Sequence, residues 1–160
     1  MSPVRIGHSE VSQRELFSLA LPDLQSLPDS ISLPSRHFIA FLAVDAAGID
    51  AAVLSEFSRK LLRAGCVYFC AWGPDCERVH DTFDQECLDV EPHIITTWHS
   101  KDSLDDALWF FVFSTFPDDA YSDTSRSGLA ISIGRPDWND HICTRLADLD
   151  AFTKDVMDDA

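Results

Sequence analysis

The densest group of chemically capable side chains lies in the segment Trp72–Asp81. Cys76 and His80 are four residues apart, so on a helix they share one face, where a thiol and an imidazole can act as nucleophile and base. The same spacing puts Cys76 on an apolar stripe with Val79 and Phe83, where a thiol packs as a small hydrophobic group. We expect the packing role and assign no catalytic residue.

A metal site can be assembled on paper from Asp45, Cys76, His80 and His99. The Cys-x3-His spacing is a weak zinc signal, because structural zinc sites normally show two close pairs of ligands. Carboxylates and an imidazole could instead hold another divalent ion. We predict no metal, and the sequence leaves the cofactor unknown.

The signatures of several enzyme classes are missing from the chain, which has no G-x-G-x-x-G, P-loop or G-x-S-x-G motif. Asp45 follows a predicted strand, as the phosphoacceptor of a receiver domain does. Ala46, however, stands where receivers carry a second acid, and Trp98-His99 and Gly134-Arg135 occupy the other two receiver positions. We therefore expect no phosphoacceptor function and lean against an enzyme.

Alternating strand and helix patterns have to position these side chains. Apolar runs of strand length lie at 37–44, 66–71, 93–98 and 129–133. Helical patterns cover 49–62 and follow Pro74, Ser103 and Pro136. This alternation predicts an α/β fold, a single three-layer domain whose mostly parallel sheet has four strands or slightly more, with helices on both faces.

Ligands of open parallel sheets collect beyond the carboxyl ends of the strands. The residues at and after the predicted strand ends therefore supply the candidate site. The candidates for binding a ligand or partner are Asp45, Trp72, Gly73, Asp75, Cys76, Glu77, Arg78, His80, Asp81, Trp98, His99 and Arg135.

Residues 1–35 differ from the α/β domain predicted for 36–160, because Leu-Pro pairs recur at 21–22, 27–28 and 33–34. Proline removes a donor and disfavours helix just before it. We expect an extended or helical lead-in that packs on the domain through the three leucines. A peptide-like docking arm is the alternative.

The charge of the chain restricts its partners. Twelve basic and 27 acidic side chains give a formal net charge of -15, which argues against nucleic acids and anionic membranes. Acidic residues are concentrated at 75–91 and 137–160 and favour a protein partner with a basic surface. The longest apolar run, 107–113, is too short to span a bilayer.

The cysteines and the amino terminus bear on the compartment. The chain has five cysteines, an odd number, and its first residues lack the apolar stretch of a secretory signal. We therefore expect reduced thiols and a cytoplasmic protein.

Large aromatic side chains crowd the helix that begins after Ser103. Trp109, Phe110 and Phe113 cannot all face one core together with their apolar neighbours. Either both sides of the helix are buried within the fold, or these three residues form an interface with a partner or a second copy.

The stretch from Phe38 to Gly134 resembles an uncharacterised bacterial protein family, a domain of unknown function. The resemblance rests on Trp72–Asp81 (W-G-P-D-C-E-R-V-H-D), Thr97–His99 and Leu104–Phe110. The family has no activity to transfer, so the resemblance implies no catalytic residue. It does imply a bacterial, cytosolic origin.

Charge, acidic segments and surplus aromatics together favour an acidic binding module that docks a more basic partner, as an accessory or immunity-type protein of a bacterial system. Two alternatives stay open. One is a small enzyme or ligand sensor with a pocket at the carboxyl ends of the strands. The other is a structural homodimer held by the aromatic helix.

Overall fold

In a computed structural model of the chain, which describes residues 1–159, six strands form one sheet in the order β1-β2-β6-β3-β4-β5. β1 runs antiparallel to β2, and every other neighbouring pair is parallel. The strands are β1 (Val4–Ser9), β2 (Arg14–Leu21), β3 (Phe38–Ala43), β4 (Cys66–Trp72), β5 (Ile95–Trp98) and β6 (Ser127–Ile133).

Five helices cover the two faces of the sheet. They are α1 (Ala51–Ala64), α2 (Cys76–Glu86), α3 (Leu104–Phe113), α4 (Pro136–Ala147) and α5 (Leu149–Asp158). α1 and α2 pack on one face, and α3, α4 and α5 pack on the other. The predicted fold class, a three-layer α/β domain with a mostly parallel sheet, is confirmed.

The central strand β3 shows why the fold could be predicted. All six of its residues are buried. Phe38, Ala40 and Leu42 face the core under α1 and α2, whereas Ile39, Phe41 and Ala43 face the core under α3, α4 and α5. A strand with both faces covered needs an unbroken apolar run, because successive side chains point to opposite faces.

Residues 4–9 and 14–21 of the predicted lead-in form two strands of the sheet. β2 is inserted between β1 and β6, and its Leu16 and Leu19 are 1% and 3% exposed. The short amphipathic pattern around these residues suits a helix or a strand equally well, so local sequence did not identify β2. The following proline-containing segment does pack on the domain, where Leu27 is 2% exposed.

The aromatic segment is a helix, as its start at Ser103 predicted. The Ser103 hydroxyl accepts a hydrogen bond from the Asp106 N–H at 3.1 Å and so caps α3. The last predicted helix is two helices, because the Asp148 carboxylate accepts from the Ala151 N–H and starts α5. No helix within residues 1–159 has the length and apolar character needed to cross a membrane.

Candidate functional site

The five parallel strands end at one edge of the sheet, here called the carboxyl edge. The loops after β3 and β4 are joined there, since the Ala46 N–H donates to the Pro74 carbonyl at 3.0 Å. Arg78 reinforces the joint by donating to the Asp75 carboxylate at 2.8 Å and to the Ala46 carbonyl at 2.7 Å. Arg78 therefore braces the two loops against each other.

Gly73 allows the chain to leave β4 and enter α2 within a few residues. Its φ is +118°, and a Cβ at this position would overlap the Val44 carbonyl oxygen. Asp75, two residues later, also has a positive φ of 61°. The Trp-Gly-Pro-Asp segment is thus a tight turn whose backbone conformation favours glycine.

His99 organises the loop between β5 and α3. Its Nδ1 donates to the Asp102 carboxylate at 2.9 Å, and its Nε2 lies 3.0 Å from the Thr97 hydroxyl. The indole N–H of Trp72 donates to the Asp102 carbonyl at 2.9 Å and ties the same loop to β4. His99 is 8% exposed, and both ring nitrogens have partners inside the fold.

His80 lies on the opposite face of β5 from His99. Its Nε2 is 2.9 Å from the hydroxyl of Thr96, and its Nδ1 donates to the Asp81 carboxylate at 2.9 Å. Thr96 and Thr97 point to opposite faces because successive residues of a strand alternate. The structure therefore separates the two histidines that the sequence placed in one candidate site.

Cys76 packs in the core at the start of α2. It is fully buried, and burial raises the pKa of its thiol. Both ring nitrogens of His80 bond elsewhere, to Thr96 and Asp81. This geometry provides no base for a thiolate nucleophile at Cys76.

Within residues 1–159, no three His, Cys, Asp or Glu side chains are close enough to hold a metal ion together. The four residues considered as a metal site in the sequence, Asp45, Cys76, His80 and His99, are therefore not brought together in one site.

Arg135 and two tryptophans form a compact strip at the carboxyl edge. The Arg135 guanidinium donates to both Asp137 carboxylate oxygens at 2.9 and 2.7 Å and lies 4.3 Å from the Trp138 ring centroid. Trp138 meets Trp72 edge-on, with ring centroids 5.0 Å apart. The hydrogen bonds to Asp137, then the charge of Asp137 and finally that of nearby Asp45, raise the pKa of Arg135.

Most predicted candidates thus lie along the carboxyl edge, but they do not surround one cavity. His80 and Asp81 sit in the second turn of α2, with His80 against Thr96 inside β5. The candidates at the carboxyl edge itself are Asp45, Trp72, Gly73, Asp75, Cys76, Glu77, Arg78, Trp98, His99 and Arg135.

A cavity of about 480 Å³ opens at the carboxyl ends of β2 and β6. We call it the β2–β6 cavity. Arg135 is the one predicted candidate that lines it, and the sequence missed the site because β2 had not been placed in the sheet. Its lining residues are Ala20, Leu21, Pro22, Ser132, Gly134, Arg135, Pro136, Asn139 and Asp140.

A larger groove of about 880 Å³ lies at the other end of the molecule, between the β1–β2 turn, the end of α3 and the α4–α5 junction. We call it the aromatic groove. Trp109 and Phe113 form its floor, with ring centroids 4.9 Å apart. Phe110, the third predicted interface residue, packs instead against His99, with ring centroids 4.7 Å apart.

Two polar atoms near the aromatic groove are unsatisfied. Within residues 1–159, the buried side-chain polar atoms that lack a hydrogen-bond partner are the Ser12 hydroxyl and the Trp109 indole nitrogen. Trp109 lines the groove, and Ser12 belongs to the adjoining β1–β2 turn. Buried polar groups normally have hydrogen-bond partners. Two unsatisfied polar atoms in and beside one groove therefore make this groove a candidate binding surface.

Three exposed carboxylates, Glu10, Asp148 and Asp150, also line the groove. In the part of the chain that the structure describes, none of them forms an ion pair with a basic side chain. The groove therefore combines an aromatic floor with unneutralised negative charge.

Arg14, which sequence analysis did not single out, fixes the end of α3 close to this groove. Its guanidinium is buried and donates to the hydroxyl and the carbonyl of Thr115 at 2.7 and 2.6 Å. Burial lowers the pKa of Arg14. A basic residue at the start of a strand gives no local sequence signal for such a contact, which joins residues far apart in the chain.

The fold is an α/β domain with one mostly parallel sheet, and its concave surfaces include the β2–β6 cavity and the aromatic groove. The chain belongs to the family described as domain of unknown function DUF7684, whose model matches residues 16–148. Membership of a family of unknown function is what the sequence predicted.

A mouse protein, GPI ethanolamine phosphate transferase 1, is 35% identical to this chain over 71 residues. The match covers 44% of this chain and 7% of the mouse protein. A segment this short transfers no activity. No solved structure matches the chain.

Proposed function

We propose that this protein is an acidic binding module that docks a more basic polypeptide in the aromatic groove. The observation that carries the proposal is that an aromatic floor and carboxylates without an ion-pair partner line one concave surface, with a buried indole N–H that lacks an acceptor directly beside it. A basic peptide segment can supply the apolar contact, the positive charge and the hydrogen-bond acceptor that these three features lack.

The floor of the groove is an apolar surface that a partner side chain can cover. Trp109 and Phe113 are only partly buried, and Val11 at the margin is 82% exposed. Aromatic side chains in a concave surface are the residues that most often dominate binding energy in protein interfaces. An apolar side chain of the partner would cover them.

The negative charge of the groove favours a cationic partner. Glu10 in the β1–β2 turn and Asp150 in the first turn of α5 are exposed and line the groove, and the whole chain carries a net charge of -15. Such a field accelerates association with basic partners and repels acidic ones. A second copy of this chain is equally acidic, so the charge disfavours the homodimer alternative.

The indole N–H of Trp109 has no hydrogen-bond acceptor within residues 1–159. A buried donor without a partner costs about 1–3 kcal/mol. The nitrogen is shielded from solvent, so a bound peptide recovers this cost if the Trp109 ring turns and offers its N–H to a main-chain carbonyl. Lysine or arginine, an apolar residue and an extended backbone in one segment would satisfy all three requirements.

This proposal includes a bacterial, cytoplasmic setting, in which the module is an accessory or immunity-type protein for a basic effector. All five cysteines are unpaired, which suits a reducing compartment.

The test compares two charge reversals that change the net charge equally. Immobilised wild-type protein, Glu10→Lys/Asp150→Lys and Asp45→Lys/Glu77→Lys are each exposed to lysate of the native host. We expect a basic protein to be recovered by the wild type and by the carboxyl-edge variant, and to be lost from the groove variant and at high salt. Equal recovery by both variants, or loss only from the carboxyl-edge variant, contradicts the proposal.

The site is then located on the purified complex by NMR. The chain has four tryptophans, so the Trp109 indole N–H is one of four resolvable signals, assigned by Trp109→Phe. We expect this signal to shift on binding. A complex that leaves it unmoved, or light scattering that shows a dimer strengthened by salt, would favour the alternatives.

A further inference from the structure

We infer that the β2–β6 cavity binds a small planar heteroaromatic molecule with adjacent hydrogen-bond donors and acceptors, of the nucleobase or nucleoside type. This inference concerns the end of the molecule opposite to the aromatic groove. It is independent of the proposed docking function.

The position of the cavity favours a ligand site. β3 leads into α1 on one face of the sheet, whereas the neighbouring β6 leads into α4 on the other face. Ligands of open α/β sheets bind beyond the carboxyl ends of strands at such a reversal. The cavity lies one strand further along the same edge, at the ends of β6 and β2, and no residue of β3 lines it. The volume of about 480 Å³ lies within the range of about 300–1,000 Å³ that is common for small-molecule sites.

The apolar part of the lining is rigid and uncovered. Pro22 and Pro136 contribute ring side chains whose backbone is conformationally restricted. Ala20 is exposed although Leu19 and Leu21 on either side of it in β2 are buried. α4 therefore leaves the end of this sheet face open, at a place where a flat ring can rest on small and rigid side chains.

The polar part of the lining offers both donors and acceptors. Within residues 1–159, the hydroxyl of Ser132, a residue that is 2% exposed, makes only a long 3.5 Å contact with the Asn139 Oδ1. The hydrogen bonds of the Asn139 side chain within residues 1–159 all go to Oδ1, which leaves the amide N–H groups available. The exposed Asp140 carboxylate, beside them, is an acceptor.

The charges of the lining decide between a neutral base and a phosphate. The Arg135 guanidinium is already matched by two hydrogen bonds to Asp137, and Asp140 adds a further negative charge. The cavity therefore has no net positive charge to hold a phosphoryl group. A neutral ring with an amide-like edge fits its donors and acceptor better than a nucleotide or an inorganic anion does.

The probes for the test are adenosine, uridine, AMP and inorganic phosphate, each titrated into the full chain and followed by two-dimensional amide NMR. We expect one nucleoside to cause saturable shifts confined to residues 20–22 and 132–140, with AMP binding no more tightly. No saturable shift for either nucleoside at about millimolar concentration, or tighter binding of AMP or phosphate, overturns the inference.

Two variants remove the site by different means. Asn139→Leu deletes the amide at similar volume, and Ala20→Leu fills the floor. Each should weaken nucleoside binding about tenfold or more, the equivalent of one lost hydrogen bond or of a blocked contact surface. Lys154→Ala, on the exposed surface of α5, is the control and should leave binding unchanged. Unaltered binding in both cavity variants, with wild-type spectra, contradicts the assignment.

Discussion

Asp105 in the first turn of α3 accepts two hydrogen bonds from the guanidinium of Arg145 near the end of α4, at 3.1 and 2.9 Å. Arg145 also donates to Asp155 of α5 at 2.7 Å, and the His141 imidazole donates to Asp105 at 2.6 Å. One network therefore joins the three helices on this face of the sheet. Burial alone would raise the pKa of Asp105, but the hydrogen bonds from Arg145 and His141 outweigh it and lower that pKa.

Asp105→Asn should lower the free energy of unfolding by about 1–2 kcal/mol. The loss is smaller than for a fully buried ion pair, because the Asp105–Arg145 pair is partly exposed to solvent. Because the folded-state pKa lies below the ordinary value of 3.8, this stabilisation is present above that value. It is lost as the pH falls through the folded-state pKa. Urea denaturation of the wild type and of Asp105→Asn, from neutral to acidic pH, measures whether their free energies of unfolding become equal as the pH falls.

Asp106→Asn is the matched control for this network, because it removes the neighbouring carboxylate, which is exposed. We expect a loss of a few tenths of a kcal/mol from its weak interaction with the helix dipole. Equal losses in the two variants would show that the network does not stabilise the fold. A difference that persists at acidic pH would show that the charge of Asp105 is not the cause of the stabilisation.

Leu19→Ala tests whether β2 belongs to the sheet. Leu19 is 3% exposed, so its truncation should cost about 2–5 kcal/mol in the free energy of unfolding. Leu88→Ala serves as the control, since Leu88 is 64% exposed and should change stability by less than about 0.5 kcal/mol. If denaturation gave both variants the same stability, residues 14–21 would not be part of the core.

Gly73→Ala should destabilise the protein more than Gly48→Ala does. Both glycines have positive φ angles, so each substitution carries a backbone cost of about 1–2 kcal/mol. At Gly73 the new Cβ also overlaps a main-chain oxygen, that of Val44, whereas a Cβ at Gly48 would meet no atom within 4 Å beyond its chain neighbours. Thermal unfolding midpoints measure the difference, and equal midpoints would contradict the tight turn after β4.

Cys143 should be the first thiol to react with an exposed-thiol reagent at mildly alkaline pH. It is partly exposed, whereas Cys66, Cys70, Cys76 and Cys87 are buried. Burial raises the pKa of Cys70 to about 12 and that of Cys87 to about 11, so little reactive thiolate forms. Mass spectrometry of labelled peptides identifies the site, with Cys143→Ser as the control. Rapid labelling of Cys76 would restore the nucleophile hypothesis that its burial argues against.

The carboxyl edge shows how far local pattern leads towards a site. Because consecutive parallel strands end on the same side, the residues after β3, β4, β5 and β6 were correctly expected at one edge. Their side-chain contacts were not predictable. His80 and His99 differ in which face of β5 they reach, and the partners of each ring, Thr96 and Thr97, follow from packing that the sequence spacing does not encode.

Both concave surfaces depend on contacts between distant parts of the chain. β2 pairs with β6 from Glu15 opposite Ser127 to Leu21 opposite Ile133, and this pairing creates the β2–β6 cavity. The aromatic groove likewise joins the β1–β2 turn to the ends of α3 and α4. Neither surface has a local motif. The β2–β6 cavity was missed because β2 had not been placed in the sheet, whereas for the aromatic groove the sequence predicted Trp109 and Phe113 as interface residues but not the chain segments that surround them.

The amino-acid sequence by itself determined the α/β class, the four strands from β3 to β6 and the turn at Gly73, because burial on both faces and left-handed backbone favour particular residue types at each position. Only the tertiary structure decided that β2 lies beside β6, that Arg14 reaches Thr115 and that Trp109 lacks an acceptor. These features depend on how separate apolar surfaces are matched in space, and the energy of that matching is shared between residues that no local pattern connects.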